Sequence, residues 1–275
     1  MVEAKIILVT GASSGIGAAI AKRLAGEGHT VFGTSRKARN ASPAEGVRML
    51  RMDVCSDGSV ARAVAALLKA AGRIDVLVNN AGFGLAGAIE DTAPDDMRRQ
   101  LETNLLGPLR VCQAVLPAMR KQGRGRIIQI SSLGARVGIP FQGAYCTSKF
   151  ALEGMSEALS IEVKPFGIDV VMVEPGDTNS NFPNAREWTA LAKSSATYAA
   201  RAKHAVAVMT KAEHSGPPAD KVARLISRAI AAKAPKLRYV CATPIERAAI
   251  TAQRLLPGRM FEAIVGAAYA LPKAK

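Results

Sequence analysis

A phenol and a primary amine stand four residues apart in the segment GAYCTSKF, residues 143–150. Side chains at positions i and i+4 share one face of an α-helix, so Tyr145 and Lys149 are expected to be neighbours. A free phenol keeps its proton until about pH 10, and a cation within about 4–6 Å lowers that pKa. The pair predicts an acid/base catalyst, although an amphipathic tyrosine beside a solvated lysine has the same spacing.

Short apolar segments alternate with longer helical patterns along the chain. Seven segments are typical of buried parallel strands: AKIILVT, TVFGTS, VRMLRMDV, DVLVNN, RIIQISS, IDVVMVEPG and KLRYVCA. Helices are expected between them at 15–28, from about 59, at 94–122, around Tyr145 and at 218–233. The pattern predicts an α/β fold, a Rossmann-type doubly wound parallel sheet of seven strands with helices on both faces.

The alternation predicts a single domain over residues 1–243. Residues 177–216 interrupt it with an insertion rich in Ala, Lys and Ser, and residues 244–275 form a helical tail outside it. No uncharged apolar run approaches the length of a membrane span, and no export signal is visible.

A glycine-rich turn follows the first strand and opens the first helix. Its sequence TGASSGIG, residues 10–17, places glycines at 11, 15 and 17. Glycines there allow a tight turn and close approach of a pyrophosphate, which the N–H groups and positive dipole end of the helix attract. The turn predicts a dinucleotide site that includes Gly11, Ser13, Ser14, Gly15, Ile16 and Gly17.

The end of the second strand carries the residues that distinguish the two nicotinamide dinucleotides. An acid at this place binds the ribose diol of NAD and repels the 2′-phosphate of NADP. Here the strand ends with Ser35, Arg36 and Lys37, without an acid. Because an arginine fork matches a phosphate, the sequence favours NADP(H) over NAD(H).

The composition excludes several classes of protein. The net charge is +15, and residues 192–275 contribute most of it, with 15 basic against 4 acidic side chains. Aromatic residues are only 4% of the chain and no nucleic-acid motif is present, so nucleic acid is not expected as a partner. The four cysteines have neither CxxC spacing nor histidine partners, so we expect no disulfide framework, no metal site and a cytoplasmic location.

Together these motifs resemble the short-chain dehydrogenase/reductase family in its form of about 250 residues, nearest to hydroxysteroid and retinol dehydrogenase-like members. The resemblance covers about residues 5–242 and rests on motifs in matching order and spacing. These are TGASSGIG, DV at 53–54, NNAG at 79–82, Asn104, ISS ending at Ser132, YCTSK and EPG at 174–176.

The resemblance implies an acid/base reaction at Tyr145. This phenol would protonate a carbonyl oxygen as hydride arrives, or take the proton in reverse. Lys149 would favour the ionised phenol and hold the nicotinamide ribose, and Ser132 would hydrogen-bond the substrate oxygen. Asn104 would anchor a water chain to Lys149. The implied catalytic set is Asn104, Ser132, Tyr145 and Lys149.

The resemblance also implies the rest of the cofactor cleft and part of the substrate pocket. Further cofactor residues would be Asp53, Val54, Asn80, Ala81, Gly82, Tyr145, Lys149, Pro175, Gly176 and Thr178. The family usually has Thr four residues after PG, whereas this chain has Thr178 at two and Ser180 at four, so either hydroxyl is a candidate for the carboxamide. The substrate residues would be Ser132, Leu133, Gln142, Phe182 and Trp188.

The implied activity is an NADP(H)-dependent oxidoreductase that interconverts a ketone or aldehyde and an alcohol. The apolar loop residues favour a lipophilic substrate, steroid-, retinoid- or lipid-like, or else a small carbonyl compound. The alternatives are a non-catalytic NADP-binding sensor and an epimerase or dehydratase on the same fold. The resemblance also implies a homodimer or homotetramer.

The tail mixes apolar stripes with Arg247, Arg254 and Arg259. Such a helix suits packing on the body or on a sister chain, and it also suits peripheral contact with an anionic membrane. The first arrangement is favoured.

Overall fold

Seven strands form one parallel sheet in a computed structural model, which describes residues 3–37 and 46–269. In order across the sheet, the strands are β3 (Val47–Arg51), β2 (Thr30–Ser35), β1 (Ile6–Val9), β4 (Val76–Asn79), β6 (Gly125–Ile130), β7 (Ile168–Pro175) and β9 (Arg238–Cys241). Two short strands, β5 (Leu85–Ala86) and β8 (Glu187–Trp188), pair separately. The doubly wound fold predicted from the sequence is confirmed.

Each central strand is apolar throughout because helices cover both faces of the sheet. In β1, Ile7 and Val9 belong to one core and Leu8 belongs to the other. Full burial of such side chains contributes about 1.5–3 kcal/mol each. The helices are α1 (Gly15–Gly26), α2 (Asp57–Ala71), α3 (Pro94–Leu101), α4 (Gly107–Gln122), α5 (Gly143–Val163), α6 (Ala199–Ser215), α7 (Ala219–Ala231), α8 (Pro244–Leu255) and α9 (Gly258–Ala268).

The helical stretch predicted at 94–122 is interrupted by a π-helical turn, Glu102–Leu106, between α3 and α4. This turn contains Asn104, whose side chain bonds both backbone groups of Phe83. Single π-helical turns inside a helix are frequent at functional sites. Two predicted helix limits also shift: α1 ends before Gly28, which has a φ of 87°, and α2 begins after Ser56, whose side chain accepts from Ser59 N.

The insertion and the tail both pack against the body. Within the insertion, β8 pairs with β5 in parallel, and α6 follows. In the tail, Gln253 donates a hydrogen bond to the carbonyl of Arg136, and a carboxylate oxygen of Glu246 accepts from Asp177 N at 2.6 Å. The described part of the tail thus contacts the body, whereas the homodimer or homotetramer stays a prediction. Over residues 3–37 and 46–269, no helix is both long enough and apolar enough to cross a membrane.

Candidate active site

Tyr145 and Lys149 lie one turn apart on α5 and both are buried, at 8% and 7% exposure. The Lys149 Nζ atom lies 5.8 Å from the centroid of the Tyr145 ring. It donates a hydrogen bond of 2.8 Å to the carbonyl of Ile130, the last residue of β6. The sheet therefore fixes the ammonium group beside the phenol, and the geometry can support proton transfer.

Burial controls the ionisation of both groups. It raises the pKa of Tyr145 above its usual range, and the neighbouring Ser132 hydroxyl offsets only part of this effect. Burial also lowers the pKa of Lys149 to about 8, against the opposing charge of Glu153. Burial thus works against the lowering of the Tyr145 pKa that the spacing to Lys149 predicts, and it is the largest influence on the phenol.

Ser132 and Asn104 are held in place by local hydrogen bonds. Ser132 follows the end of β6, and its Oγ accepts from Gly134 N at 3.0 Å. Asn104 is 1% exposed, and its amide nitrogen donates to the carbonyl of Phe83 and to Ser148 Oγ. Asn104 thus connects the π-helical turn to α5, which carries the acid/base pair.

The glycine turn forms a cradle with no room for side chains. A Cβ on Gly17 would lie 2.3 Å from the carbonyl oxygen of Gly11, and one on Gly11 would lie 2.9 Å from Ala81 Cα. The Asn80 side chain donates to the carbonyls of Thr10 and Gly11 and so holds the turn on the next strand. Ser14 precedes α1 without a side-chain cap, which leaves first-turn N–H groups for an anion. These residues fit a pyrophosphate.

One cavity of about 850 Å³ joins this cradle to Tyr145. It brings together nearly all of the residues predicted from the sequence. They are Gly11, Ser13, Ser14, Gly15, Ile16, Gly17, Ser35, Arg36, Asp53, Val54, Asn80, Ala81, Gly82, Asn104, Ser132, Leu133, Gln142, Tyr145, Lys149, Pro175, Gly176, Thr178 and Phe182.

Two predicted residues lie outside the cavity wall formed by the described chain. Lys37 is exposed, and its backbone N donates to Ser35 Oγ. Trp188 lies in β8, paired with Ala86, while its neighbour Glu187 lines the cavity instead. Side chains alternate along a strand, so the cavity takes Glu187 and leaves Trp188 on the other side.

Both candidates for the carboxamide contact line the cavity. Thr178 Oγ1 donates to the carbonyl of Gly176 at 2.9 Å, and Ser180 Oγ accepts from Phe182 N at 3.2 Å. Each hydroxyl retains hydrogen-bonding capacity for a ligand.

The tail supplies a wall of the cavity that sequence reasoning missed. Its apolar lining residues are Ile245, Ala249, Ile250, Phe261, Ile264, Val265, Ala268 and Tyr269. Thr243 and Glu246 form a capping box that begins α8, and the sequence TPIE was a visible signal for that start. The apolar stripe of the tail was also visible in the sequence, but the sequence did not show that this stripe lines the cavity.

A second group of missed residues is polar. Arg186 is buried and donates hydrogen bonds to Glu213 and to Thr210 Oγ1. The side-chain oxygen of Gln142, when oriented toward Arg186, accepts from that guanidinium at 3.1 and 3.2 Å. Asp177 lines the same cavity, and burial, with the charges of Glu246 and Glu213, raises the pKa of its carboxyl to about 6.

We expect Asp177→Asn to stabilise the protein above pH 7. A carboxyl whose pKa rises from 3.8 to about 6 on folding makes the folded state less stable once it ionises. The full shift corresponds to roughly 3 kcal/mol, and partial exposure reduces the expected gain to about 1–2 kcal/mol. Urea unfolding of both proteins at several pH values measures this gain.

The pH range of the stability gain follows from the upward direction of the Asp177 pKa shift. The gain from Asp177→Asn should be constant above the folded pKa, shrink between about pH 6 and 4, and vanish below the unfolded pKa of 3.8. A variant that is less stable than the wild type at pH 8 would contradict the burial penalty.

Comparison with known proteins agrees with this geometry. The family model described as short chain dehydrogenase matches residues 5–190. A 3-ketodihydrosphingosine reductase from Bacteroides thetaiotaomicron is 41% identical over 98% of this chain and 99% of its own. The 17-beta-hydroxysteroid dehydrogenase type 1 of Homo sapiens is 38% identical over 64% of this chain and 58% of its own.

A solved structure supports the same assignment. The crystal structure of a short-chain dehydrogenase from Streptomyces avermitilis superposes with a TM-score of 0.80 at 33% identity, and the match covers 97% of this chain and 96% of that one. The family model spans well over half of the residues, and the resemblance of the motifs is confirmed. The chain therefore belongs to the short-chain dehydrogenase family of oxidoreductases.

Proposed function

We propose that this protein is an NADP(H)-dependent reductase that converts a lipophilic ketone into a secondary alcohol. One observation carries the proposal: a single cavity contains both the glycine cradle and the acid/base group of Ser132, Tyr145 and Lys149. A cradle alone would suit a sensor, and an acid/base pair alone would suit many enzymes. Their junction suits hydride transfer with a proton donor at hand.

The residues of this chain would act on the substrate oxygen. The glycine cradle would hold a nicotinamide cofactor, which would supply hydride to the carbonyl carbon and be oxidised in that step. Tyr145 gives its proton to the oxygen, and the Ser132 hydroxyl donates a hydrogen bond that stabilises the negative charge developing there. The Tyr145 phenol holds the proton that a reduction requires, but burial raises its pKa and so makes it a weaker acid than a phenol with a pKa near the working pH.

Coenzyme selection is assigned to Arg36. It is exposed at the end of β2 and lines the cavity together with Ser35. A guanidinium there offers a fork of donors to a 2′-phosphate. These features support NADP(H).

The proposed substrate is a long-chain ketone. The apolar wall formed by α8 and α9, with Phe182 and Val208, suits an alkyl chain. The relative that matches nearly the whole of this chain is named for 3-ketodihydrosphingosine, and this supports the same ketone here. A steroid ketone is the comparison substrate, because the human relative is named for a hydroxysteroid.

The test is a panel of carbonyl compounds followed by absorbance of NADPH and, separately, NADH. We expect the largest kcat/KM with 3-ketodihydrosphingosine and NADPH, a lower value with a steroid ketone, and little turnover with acetaldehyde. If every ketone and alcohol in the panel fails while NADPH still binds, the protein is a sensor. Turnover of a nucleotide sugar without net change in NADPH would instead indicate an epimerase.

A further inference from the structure

A carboxylate without a partner, that of Asp177, lies at the end of the cavity that is also lined by Glu213 and Glu246. Asp177 follows Pro175 and Gly176 at the end of β7 and is half-buried. Its backbone N is bonded to Glu246, but over residues 3–37 and 46–269 its side-chain oxygens have neither a hydrogen bond nor an ion pair. A half-buried carboxylate in this condition loses hydration without compensation.

Glu213, on α6, adds a second incompletely paired carboxylate. The residue is 9% exposed and lines the same cavity. Its Oε1 accepts from Arg186, whereas its Oε2 is buried and has no partner in the part of the chain that the structure describes. Arg186 already bonds Glu213, Thr210 and Gln142, and its charge offsets only part of the burial and repulsion that act on Asp177.

The backbone holds Asp177 in place from both sides. A Cβ on Gly176 would lie 2.1 Å from Glu246 Oε1, and a Cβ on Gly216 would lie 2.5 Å from the carbonyl oxygen of Asp177. The next residues are also anchored, since Asn179 N donates to the carbonyl of Pro217 at 2.9 Å. Such close packing keeps the carboxylate at the cavity instead of allowing the loop to carry it into solvent.

The local charge is opposite to that of the whole protein. The chain carries a net charge of +15, yet the carboxylates of Asp177, Glu213 and Glu246 line this end of the cavity, and the guanidinium of Arg186 bonds Glu213. Glu246, Glu213 and Arg186 act electrostatically on Asp177, and Glu213 and Arg186 also act on Tyr145. Surplus buried negative charge lowers stability unless a ligand supplies a cation, so the complementary ligand is positively charged.

We propose that Asp177 and Glu213 bind the protonated amino group of the substrate, which is thus an amino ketone with a long apolar chain. An ammonium group brings one positive charge and three donors, enough for the free oxygens of both carboxylates. The alkyl chain then lies on the apolar wall of α8 and α9. This inference rests on the proposed reductase function and assigns its specificity.

The test compares two ketones that differ only in the amino group. These are 3-ketodihydrosphingosine and the analogue with hydrogen in place of the amine, both as short-chain forms that stay monomeric. We expect the wild type to prefer the amine by about 10–100-fold in kcat/KM, the range of one or two charge-assisted hydrogen bonds. Asp177→Asn should abolish most of this preference by lowering kcat/KM for the amine only, and Glu213→Gln should reduce it in the same direction.

Asp95→Asn serves as the matched control, because Asp95 is exposed at the start of α3, outside the cavity. It should keep the wild-type preference. Equal kcat/KM for the two ketones in the wild type would overturn the amine site while leaving the reductase function intact. A preference that survives in Asp177→Asn would also overturn the assignment.

A binding measurement separates this inference from the proposed function. Titration calorimetry on the full chain with NADP⁺ bound compares dihydrosphingosine with the same diol lacking the amine. We expect tighter binding of the amine by about 10–100-fold, and equal binding of the two in Asp177→Asn. If the enzyme reduces neither ketone but still shows this difference, the reductase proposal fails and the amine site stands. Equal binding by the wild type overturns the site.

Discussion

Tyr145→Phe is expected to lower kcat by about 10²–10⁴-fold, the range that a general acid contributes, and to leave NADPH affinity unchanged. The variant removes only the phenolic oxygen, which has the Ser132 hydroxyl as its neighbour at the cavity. The ring also packs on Phe182, with centroids 5.6 Å apart, and phenylalanine keeps that contact. The loss should therefore fall on proton transfer and not on folding.

Stopped-flow absorbance gives the rate of hydride transfer, and quenching of protein fluorescence gives the affinity for NADPH. The matched control is Tyr198→Phe, because that phenol is exposed and bonds Glu90. It should retain wild-type turnover. If Tyr145→Phe keeps a tenth or more of the wild-type kcat, well above the range of a lost general acid, the phenol is not the proton donor.

The sheet and the cofactor cleft were predictable because their signals are local. The apolar strands had to be buried on both faces, and the glycines at 11 and 17 sit where a Cβ would collide with backbone. Glu187 and Trp188 show where prediction from local sequence signals fails. Sequence marked the tryptophan as a pocket residue, but the direction of a side chain in β8 depends on its pairing with β5.

The ionisation of Tyr145 and the role of the tail depend on the assembled structure. Spacing on α5 predicted that Tyr145 and Lys149 are neighbours, but it did not predict the burial that raises the pKa of Tyr145 and lowers that of Lys149. The apolar stripe of α8 and α9 gave no sign that it would complete the cavity. The sequence did not mark Asp177 as a site residue for a related reason. A carboxylate in a loop is expected to be solvated, and its contact with the tail is visible only in the folded structure.

Arg36→Glu should reverse the coenzyme preference. The change removes a fork of donors from the end of β2 and places a carboxylate where the ribose is expected, so a 2′-phosphate is repelled and a diol is bound. We expect kcat/KM with NADPH to fall by about 10–100-fold, from lost charge-assisted bonds, and that with NADH to rise. Initial rates with each coenzyme at saturating ketone measure the ratio.

The neighbouring residue gives the control for this change. Lys37→Glu alters the net charge by the same amount, yet Lys37 is exposed and lies outside the cavity wall formed by the described chain. Its effect should be several-fold smaller and should weaken as salt screens the exposed charge, whereas a direct phosphate contact resists screening better. Equal losses for both variants would mean that the net positive charge at the end of β2, and not a direct contact by Arg36, selects NADPH. An unchanged NADPH to NADH ratio in Arg36→Glu would remove the basis for coenzyme selection at the end of β2.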